Sequence, residues 1–283
     1  PTAPIRNTTG LTMPELPEVE TTRRGIAPLL EGRAIDAVIV RDRRLRWPIP
    51  TELERRVAGQ PIAAVRRRAK YLLIDCTTGT LIIHLGMSGS LRIVPAADPV
   101  RLHDHVDFII GSQILRYRDP RRFGAVLWHV GAPESHRLLA HLGVEPLDDA
   151  FSGPQLHAAS RGRTVSIKSL LMDHSVVVGV GNIYASESLF RAGIRPTLPA
   201  GKVSLVKMAA LVSAVKETLH AAIKAGGSTL RDFVSGDNQA GYFQMQHLVY
   251  DRAGQACRVC RSNIRKIVQG QRSTFFCPMC QSR

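Results

Sequence analysis

The sequence has 283 residues, of which 44% are hydrophobic, and this is enough chain for two modest domains with their own cores. No segment approaches the ~20 consecutive apolar residues of a membrane-spanning helix, and no charged-then-apolar leader opens the chain, so we expect a cytoplasmic protein without a membrane partner. Because 38 Lys and Arg against 23 Asp and Glu give a net charge of +15, the expected partner is a polyanion, although charge alone would also suit a ribosomal or lipid-bound protein.

The N-terminal half is predicted to be one helix followed by strands. Residues 1–12 are rich in Thr and Pro, so we expect a disordered extension over 1–13. The spacing of Val19, Ile26 and Leu29 then predicts an amphipathic helix from Pro17 to near Gly32. Short β-branched or alternating runs predict strands, in a sandwich or barrel-like pair of sheets, at 35–40, 62–75, 80–85, 90–94, 106–110, 113–118 and 124–130.

The pattern becomes helical beyond Gly131. Helices are predicted at 134–142, 165–173, 183–192 and 203–225, with Gly143, Gly193 and Gly226 at the positions of left-handed caps. The chain is thus predicted to be an α+β protein divided into 14–146, 147–248 and 249–283, with a hinge around 147–153. A cleft between the halves would suit a ligand as long as DNA.

Basic residues cluster twice in the N-terminal half. The clusters are Arg41, Arg43, Arg44 and Arg46 in one turn, and Arg66, Arg67, Arg68 and Lys70 in one predicted strand. Such patches can neutralise phosphates and release counterions, which favours a nucleic acid among the possible polyanions.

Four of the five cysteines form two C-x-x-C pairs, with sixteen residues between the pairs. This spacing is typical of a structural zinc site, with Cys257, Cys260, Cys277 and Cys280 as the four ligands of one Zn²⁺. Two disulfides are the alternative, which a cytoplasmic setting disfavours. Cys76 lies in an apolar strand and is expected to be a buried bystander.

Two further segments suggest chemistry. Glycines in the segment 178–182 lead into a predicted helix, where backbone N–H groups can bind an anion and Asn182 can cap the helix or contact a phosphate, although a tight packing loop is the alternative. In the second segment, removal of Met13 would leave Pro14 with an α-amine that titrates at about pH 8. Pro14 could then attack the C1′ carbon of a sugar and form an iminium, with Glu15 as general acid and base. An ordinary helix start is the alternative there.

The chain from Met13 to its end resembles the formamidopyrimidine-DNA glycosylases, bacterial enzymes that remove 8-oxoguanine and ring-opened purines. The resemblance rests on the cysteine quartet and on five blocks: Met13-Pro14-Glu15-Leu16-Pro17-Glu18-Val19-Glu20-Thr21, Arg67-Arg68-Ala69-Lys70-Tyr71, His84-Leu85-Gly86-Met87-Ser88-Gly89, Asp119-Pro120-Arg121-Arg122-Phe123-Gly124 and Gly179-Val180-Gly181-Asn182-Ile183-Tyr184-Ala185-Ser186-Glu187. It implies a β-sandwich domain, a helix-two-turn-helix domain with a zinc hairpin, and a monomeric enzyme that acts on damaged double-stranded DNA.

The resemblance also implies roles for individual residues. Pro14 would be the Schiff-base nucleophile and Glu15 its proton-transfer partner, with Glu18 in support. Phosphate contacts near the lesion would come from Lys70, His84, Asn182 and Arg272, and Lys168 would lie near the pocket. Since Arg272 lies between the two cysteine pairs, zinc would stiffen the hairpin that carries it.

Extrusion of a damaged nucleotide leaves a void that a side chain must fill. By resemblance, Met87, Arg121 and Phe123 would fill it, with Phe123 as a wedge and Arg121 paired to the orphaned cytosine. A Met or Phe in a strand-rich domain is more often a core residue, and only the surrounding motif argues otherwise. The segment 235–242 resembles the loop that closes over the flipped base.

Twelve residues precede Met13 in the printed chain, which departs from the family pattern. A peptide bond on Pro14 would abolish its nucleophilicity, so translation starts at Met13, or the extension is cleaved, or this form lacks lyase activity; we favour a misassigned upstream start. Two other functions stay open. One is an endonuclease VIII-like enzyme that removes oxidised pyrimidines, and the other is a noncatalytic protein that binds distorted DNA.

Overall fold

The computed structural model describes residues 14–226 and 247–281, so the extension predicted over 1–13 and the closing loop predicted at 235–242 lie outside the described residues. Within these ranges the helices are α1 (Leu16–Leu30), α2 (Leu53–Val57), α3 (Gly153–Ser160), α4 (Ile167–Leu171), α5 (Asn182–Arg191) and α6 (Leu205–Gly226). The strands are β1 (Ala34–Ile35), β2 (Ala37–Val40), β3 (Gln60–Arg68), β4 (Tyr71–Cys76), β5 (Gly79–His84), β6 (Ser90–Pro95), β7 (Asp104–Ile110), β8 (Gln113–Arg118), β9 (Ala125–His129), β10 (Arg265–Gln269) and β11 (Arg272–Phe276). In the described part of the chain, no helix combines the length and apolarity needed to span a bilayer.

Strands β1 to β9 form two antiparallel sheets that pack face to face. One sheet has the order β1-β3-β4-β5-β9 and the other has the order β2-β7-β8-β6. Alternate side chains, among them Leu72 and Ile74 of β4 and Phe108 of β7, are fully buried between the sheets, and α1 closes this core with Val19 and Ile26. The predicted α+β class and the N-terminal β-sandwich are therefore confirmed.

Two of the predicted strands are interrupted. The run 35–40 divides at Asp36, because β1 pairs with β3 in one sheet whereas β2 pairs with β7 in the other. The run 62–75 is a hairpin, in which Ala69 adopts φ 54° and turns β3 back onto β4. Lys70 therefore lies in a turn and not in a strand, and the absence of Gly or Pro from this turn left no signal for it in the sequence.

The helical region is arranged around α6, against which α3 and α5 pack. The helices predicted at 165–173, 183–192 and 203–225 correspond to α4, α5 and α6, whereas α2 and α3 were missed. The helix predicted at 134–142 was wrong, because the segment forms one 3₁₀ turn at Pro133–Ser135 and then further turns. Its Leu139 packs with Leu73 and Ile82 on the outer face of the five-stranded sheet, so the apolar spacing reflects contact with that sheet.

The three glycines predicted to be helix caps differ in conformation. Gly193 adopts φ 65° just beyond α5, as predicted. A Cβ on Gly226 would lie 2.5 Å from Thr21 Oγ1 of α1, and a Cβ on Gly143 would lie 2.6 Å from the Ser175 carbonyl oxygen. These two glycines therefore permit close packing and are not left-handed caps.

Strands β10 and β11 form a hairpin at the C-terminal end of the described chain. Phe275 of β11 shares a small hydrophobic cluster with Phe190 of α5 and with Val249. The hairpin is therefore seated on the helix that also carries the glycine segment 178–182 at its N-terminus. The boundaries predicted at 146 and 248 stay a prediction.

Candidate active site

Glu15 connects the first helix to the start of α5. Its backbone N–H donates to Glu18 Oε2 over 2.8 Å, which forms half of a capping box at the N-terminus of α1. Its carboxylate accepts hydrogen bonds from the backbone N–H groups of Gly181, at 2.8 Å, and Ile183, at 3.1 Å. Glu15 is only 2% exposed and the adjacent Pro14 is also buried. The two predicted reactive residues thus lie together at a helix N-terminus.

The N–H groups of the glycine segment before α5 bind the Glu15 carboxyl group of the protein itself, and the predicted contact of this segment with an external anion stays a prediction. The N-cap position is Gly181 and not Asn182, so the prediction of an Asn182 cap was wrong. A Cβ on Gly181 would lie 2.1 to 2.4 Å from the carboxyl atoms of Glu15. Glycine is therefore required at this position because the carboxylate occupies the space of any larger side chain.

Burial raises the pKa of Glu15, and the nearby charge of Glu18 raises it further, whereas Lys70 and the two backbone hydrogen bonds lower it. The net effect is that the protonated form persists to a higher pH than in an exposed glutamate. Glu18 is itself held by Tyr184, whose hydroxyl group donates to Glu18 Oε1 over 2.7 Å. A carboxyl group with a raised pKa is better suited to give up a proton in general acid catalysis than an exposed glutamate is.

His84 lies at the end of β5 with its ring against Tyr71, at 4.8 Å between ring centroids. Burial and the positive charges of Lys70 and Arg46 lower the pKa of His84 to about 4. The Gly86 N–H donates to His84 Nδ1 over 3.1 Å, so the proton of the neutral ring is on Nε2. His84 can therefore act as a neutral hydrogen-bond donor.

Lys168 and Asn182 form a buried network with β11. The Lys168 ammonium donates to Asn182 Oδ1 at 2.5 Å, to Thr274 Oγ1 at 2.6 Å and to the Ser273 carbonyl oxygen at 3.3 Å, while Asn182 Nδ2 donates to the same carbonyl at 2.9 Å. Burial, together with the like charge of Arg272, lowers the pKa of Lys168 to about 8. All three N–H donors of Lys168 are thus used within the protein, and exposed Arg272 is the next residue along the hairpin.

The three predicted void-filling residues lie on two neighbouring loops of the β-sandwich. Met87 lies between β5 and β6 and is half-buried, whereas Arg121 and Phe123 lie between β8 and β9 and are exposed. The Arg121 guanidinium is placed over the Phe123 ring, 5.0 Å from its centroid. Phe123 is 43% exposed, so it is not a core residue. The structure therefore brings the two motif blocks together and leaves their large side chains at the surface.

Most arginines of the two predicted phosphate-binding clusters are engaged inside the protein. The ion pairs join Arg41 with Asp107, Arg43 with Glu54, Arg44 with Asp42, Arg66 with Asp75, Arg67 with Glu20 and Glu145, and Arg68 with Glu145. Arg46 stacks on Trp47. Charge counts in a sequence do not reveal these acidic partners, and the predicted role of the clusters in neutralising phosphates stays a prediction.

The four cysteines predicted as metal ligands come together at the base of the β10–β11 hairpin, with all four sulfur atoms within 4.8 Å of one another. The Sγ atoms of Cys257 and Cys280 are 3.9 Å apart, and those of Cys260 and Cys277 are 3.3 Å apart. Tetrahedral zinc with bonds of about 2.3 Å would separate its sulfurs by about 3.8 Å. The donor set and its spacing therefore fit a four-coordinate metal ion.

Sequence reasoning missed several polar residues that organise this region. Glu187 of α5 is fully buried, and its carboxylate accepts from the backbone N–H groups of Leu248, Val249 and Tyr250 at 2.9 to 3.0 Å. An acidic residue on the buried face of a helix, three positions after Tyr184, was the available signal. Glu187 fixes the chain where it enters the hairpin region, just as Glu15 fixes the start of α1.

Three family models match successive parts of the chain. They are the formamidopyrimidine-DNA glycosylase N-terminal domain at residues 13–126, the formamidopyrimidine-DNA glycosylase H2TH domain at 142–234, and a zinc finger found in FPG and IleRS at 254–283. Together they account for most of the chain, and the third includes the four clustered cysteines.

Whole relatives and solved structures agree with these matches. The chain is 60% identical over 271 residues to a formamidopyrimidine-DNA glycosylase of Aromatoleum aromaticum, which covers 96% of this chain and 100% of the relative. One from Burkholderia cenocepacia is 59% identical over 274 residues, with 95% and 100% covered. A Lactococcus lactis variant in complex with Fapy-dG-containing DNA has a TM-score of 0.86 at 31% identity, with 95% and 100% covered. The Thermus thermophilus enzyme has a TM-score of 0.81 at 38% identity, with 95% and 98% covered. The chain belongs to the formamidopyrimidine-DNA glycosylase family.

Proposed function

We propose that the protein is a bifunctional DNA glycosylase and abasic-site lyase that excises oxidised purines, such as 8-oxoguanine and formamidopyrimidines, from duplex DNA. The observation that carries the proposal is the Glu15 carboxyl group, which is buried beside Pro14 and fixed by the N–H groups of Gly181 and Ile183. It supplies a proton-transfer group next to a candidate amine. Two related solved structures, both of the Lactococcus lactis enzyme, are bound to Fapy-dG-containing DNA and to abasic-site DNA.

In the proposed reaction, the secondary amine of Pro14 attacks C1′ of the damaged nucleotide. The C1′–N bond breaks, its electron pair leaves with the base, and the base takes up a proton. Protonated Glu15 gives its proton to the ring oxygen O4′ as the C1′–O4′ bond breaks, and the Pro14 nitrogen, after losing its own proton, forms the iminium with C1′. Loss of a proton from C2′ then expels the 3′ phosphate, and loss of a proton from C4′ in a second elimination expels the 5′ phosphate. The Glu15 carboxylate takes up a proton during these steps and releases it to solvent.

This chemistry requires Pro14 to be the first residue of the active protein. The nitrogen of a Met13–Pro14 peptide bond is an amide and has no basic electron pair to donate. Pro1 cannot replace it, because twelve residues lie between Pro1 and Pro14 and only Pro14 adjoins Glu15. The active form therefore begins at Pro14, either from translation at Met13 or after cleavage.

The proposed DNA contacts surround this centre. Lys70, in the β3–β4 turn, and neutral His84 are proposed to donate to phosphates near the lesion, as is the exposed Arg272 of the hairpin. Asn182 is proposed to contact a phosphate as well, whereas the engaged Lys168 would act by holding β11 in place. Met87, Arg121 and Phe123 would fill the void left by the flipped nucleotide.

We propose that the cysteine site holds one structural Zn²⁺. All four ligands are protein sulfurs, so a bound zinc ion would have no open position and would serve to stiffen the hairpin that carries Arg272. Native mass spectrometry should show one zinc ion per chain. We also propose that the protein acts as a monomer, and the same measurement should give the mass of a single chain. Chelation should abolish DNA binding, and retention of full affinity after metal loss would contradict this role.

Borohydride trapping tests the whole proposal. Incubation with a duplex that carries 8-oxoguanine opposite cytosine should give a covalent adduct. Peptide mapping should locate the new bond at Pro14, and the mass of the native N-terminal peptide should show that the protein begins at Pro14. A crosslinked protein that keeps residues 1–13 would overturn the assignment of Pro14. Binding without any crosslink would favour a noncatalytic DNA-binding protein.

Oxidised pyrimidines are the second candidate substrate class, since one related Lactococcus lactis structure is a complex with oxidised-pyrimidine DNA. Single-turnover excision of thymine glycol and of 8-oxoguanine should be compared at equal protein concentration. Faster release of 8-oxoguanine is expected, and the reverse order would assign the protein to the endonuclease VIII-like alternative.

A further inference from the structure

The two loops that carry the void-filling residues are joined by one hydrogen-bond network. Ser88, next to Met87, donates from its hydroxyl group to Asp119 Oδ1 over 2.6 Å. The same Ser88 oxygen accepts the backbone N–H of Arg121 at 3.0 Å. Ser88 therefore links the β5–β6 loop both to the beginning of the β8–β9 loop and to the backbone of Arg121 itself.

Asp119 is fully buried and holds the far end of its own loop as well. Its Oδ2 accepts the backbone N–H of Gly124 at 2.8 Å and the Tyr117 hydroxyl at 3.4 Å. Its backbone oxygen lies 3.0 Å from Nε2 of the buried His105. A single carboxylate thus fixes both ends of the segment that contains Arg121 and Phe123.

The loop backbones also touch directly. A Cβ on Gly86 would lie 2.5 Å from the Phe123 carbonyl carbon and 2.6 Å from the Gly124 nitrogen. The two loops are therefore packed backbone to backbone at the level of Phe123, with no room for a side chain between them. In contrast, the Arg121 and Phe123 side chains are exposed at the tip, where the Arg121 guanidinium lies over the Phe123 ring.

We propose that Ser88 and Asp119 form a clamp that makes the two loops one rigid unit, so that Met87, Arg121 and Phe123 enter the damaged duplex together. The proposal rests on the proposed function. Ser88 and Asp119 are positioning residues, because neither is exposed at the tip and both act through the backbone of the loops. Fixing the loops in advance removes the ordering cost that three independently mobile side chains would add to each insertion.

The clamp matters only where there is a void to fill. A duplex with an abasic site has a partner strand and stacked neighbours that the loop tip must replace, whereas a single strand with the same site has neither. Loss of the clamp should therefore slow the reaction on the duplex and leave the reaction on the single strand nearly unchanged. A general loss of folding would slow both.

The test compares borohydride trapping of Ser88→Ala on an abasic-site duplex and on the matching single strand. We expect trapping roughly tenfold slower on the duplex and within about twofold of the unchanged protein on the single strand. Ser88→Thr keeps the hydroxyl group and should restore the duplex rate. Ser160→Ala, which removes a buried hydroxyl that donates to the His157 carbonyl oxygen in α3, is the matched control and should leave both rates unchanged.

A double-mutant cycle with Phe123→Ala identifies the route of the effect. If the clamp acts by placing the loop tip, Ser88→Ala adds little to the duplex loss of Phe123→Ala, whereas independent effects would multiply. Asp119→Asn provides a second clamp variant with the same expected pattern. Equal losses on both substrates, no loss on either, or multiplicative losses would each overturn the clamp. Failure of the unchanged protein to trap either substrate would instead overturn the proposed lyase chemistry, and the clamp's role with it.

Discussion

Glu15 and Phe123 are both proposed to act on DNA, but they differ in exposure, since Glu15 is 2% exposed and Phe123 is 43% exposed. Glu15 is fixed through its side chain by two backbone N–H groups of the α5 N-terminus. Phe123 is fixed through its backbone, and its ring lies at the surface beneath the Arg121 guanidinium. A proton-transfer group gains from burial, which shifts its pKa, whereas a wedge must reach outward. Both residues are held in position before DNA binds, Glu15 through its side-chain carboxyl group and Phe123 through its backbone.

The largest effect is expected when the buried carboxyl group of Glu15 is removed. Glu15→Gln should slow base excision by about a hundred- to ten-thousandfold, because general acid and base catalysis is lost and a glutamine oxygen cannot satisfy both N–H donors. Single-turnover release of 8-oxoguanine measures the effect. Glu217→Gln, at an exposed position of α6, is the matched control, and a loss below about threefold at Glu15 would remove it from the mechanism.

A second variant leaves the acid in place but moves it. Gly181→Ala should slow excision by about a hundredfold, because the new methyl group would occupy a position 2.1 to 2.4 Å from the Glu15 carboxyl atoms. Gly201→Ala, whose new methyl group would lie 3.0 Å from the Arg163 carbonyl oxygen, serves as the control. An unchanged rate in Gly181→Ala would mean that the carboxyl position is not critical.

Lys70→Met tests the effect of a nearby positive charge on the pKa values of the site. Lys70 lowers the pKa of both Glu15 and His84, so its removal should raise both. Because the pKa of His84 is lowered from 6.5 to about 4, its contribution to stability is present above pH 6.5 and is lost as the pH falls towards 4. This loss should be smaller in Lys70→Met. An NMR titration of His84 measures the shift, with exposed Lys207→Met as control, and an unmoved pKa would contradict the assigned cause.

The smallest expected effect is on the salt dependence of DNA binding, and it distinguishes the exposed Arg272 from Arg67, which is ion-paired within the protein. Arg272→Ala should weaken binding to any duplex and reduce the slope of log affinity against log salt by about 0.9, as expected for one lost phosphate contact. Arg67→Ala removes ion pairs to Glu20 and Glu145, so it should lower thermal stability without changing that slope. Equal salt slopes for all three proteins would show that Arg272 does not contact phosphate.

Local patterns in the sequence predicted the elements well where one strand or one helix carries one pattern. The strand at 113–118 was predicted with its observed bounds, and α5 was predicted within one residue at each end. The segment 134–142 failed because Leu139 faces a sheet and not a helical neighbour. Periodicity reports which side chains are buried, and it reports the backbone conformation only when the burying surface follows the same period.

The sequence identified candidate residues of the site, but it did not predict which of them contact one another. The motif blocks identified Glu15 and the glycines at 179 and 181 separately, but nothing local indicated that the Glu15 carboxylate would occupy the N–H groups expected to bind an external anion. Ser88 and Asp119 are both part of the quoted motif blocks, but nothing in the sequence indicated that they form a hydrogen bond with each other. Pairings across many residues depend on the assembled fold, and a single sequence holds no direct measure of them.

The distance in sequence between Glu15 and Gly181, 166 residues, has a consequence for the timing of activity. During synthesis the N-terminal half leaves the ribosome first, while the amides that anchor its acid have not yet been made. On the proposed mechanism, a stalled or truncated chain that lacks Gly181 and Ile183 would carry Pro14 without a fixed proton donor beside it. The proposed chemistry would therefore become possible only after the start of α5 has been made.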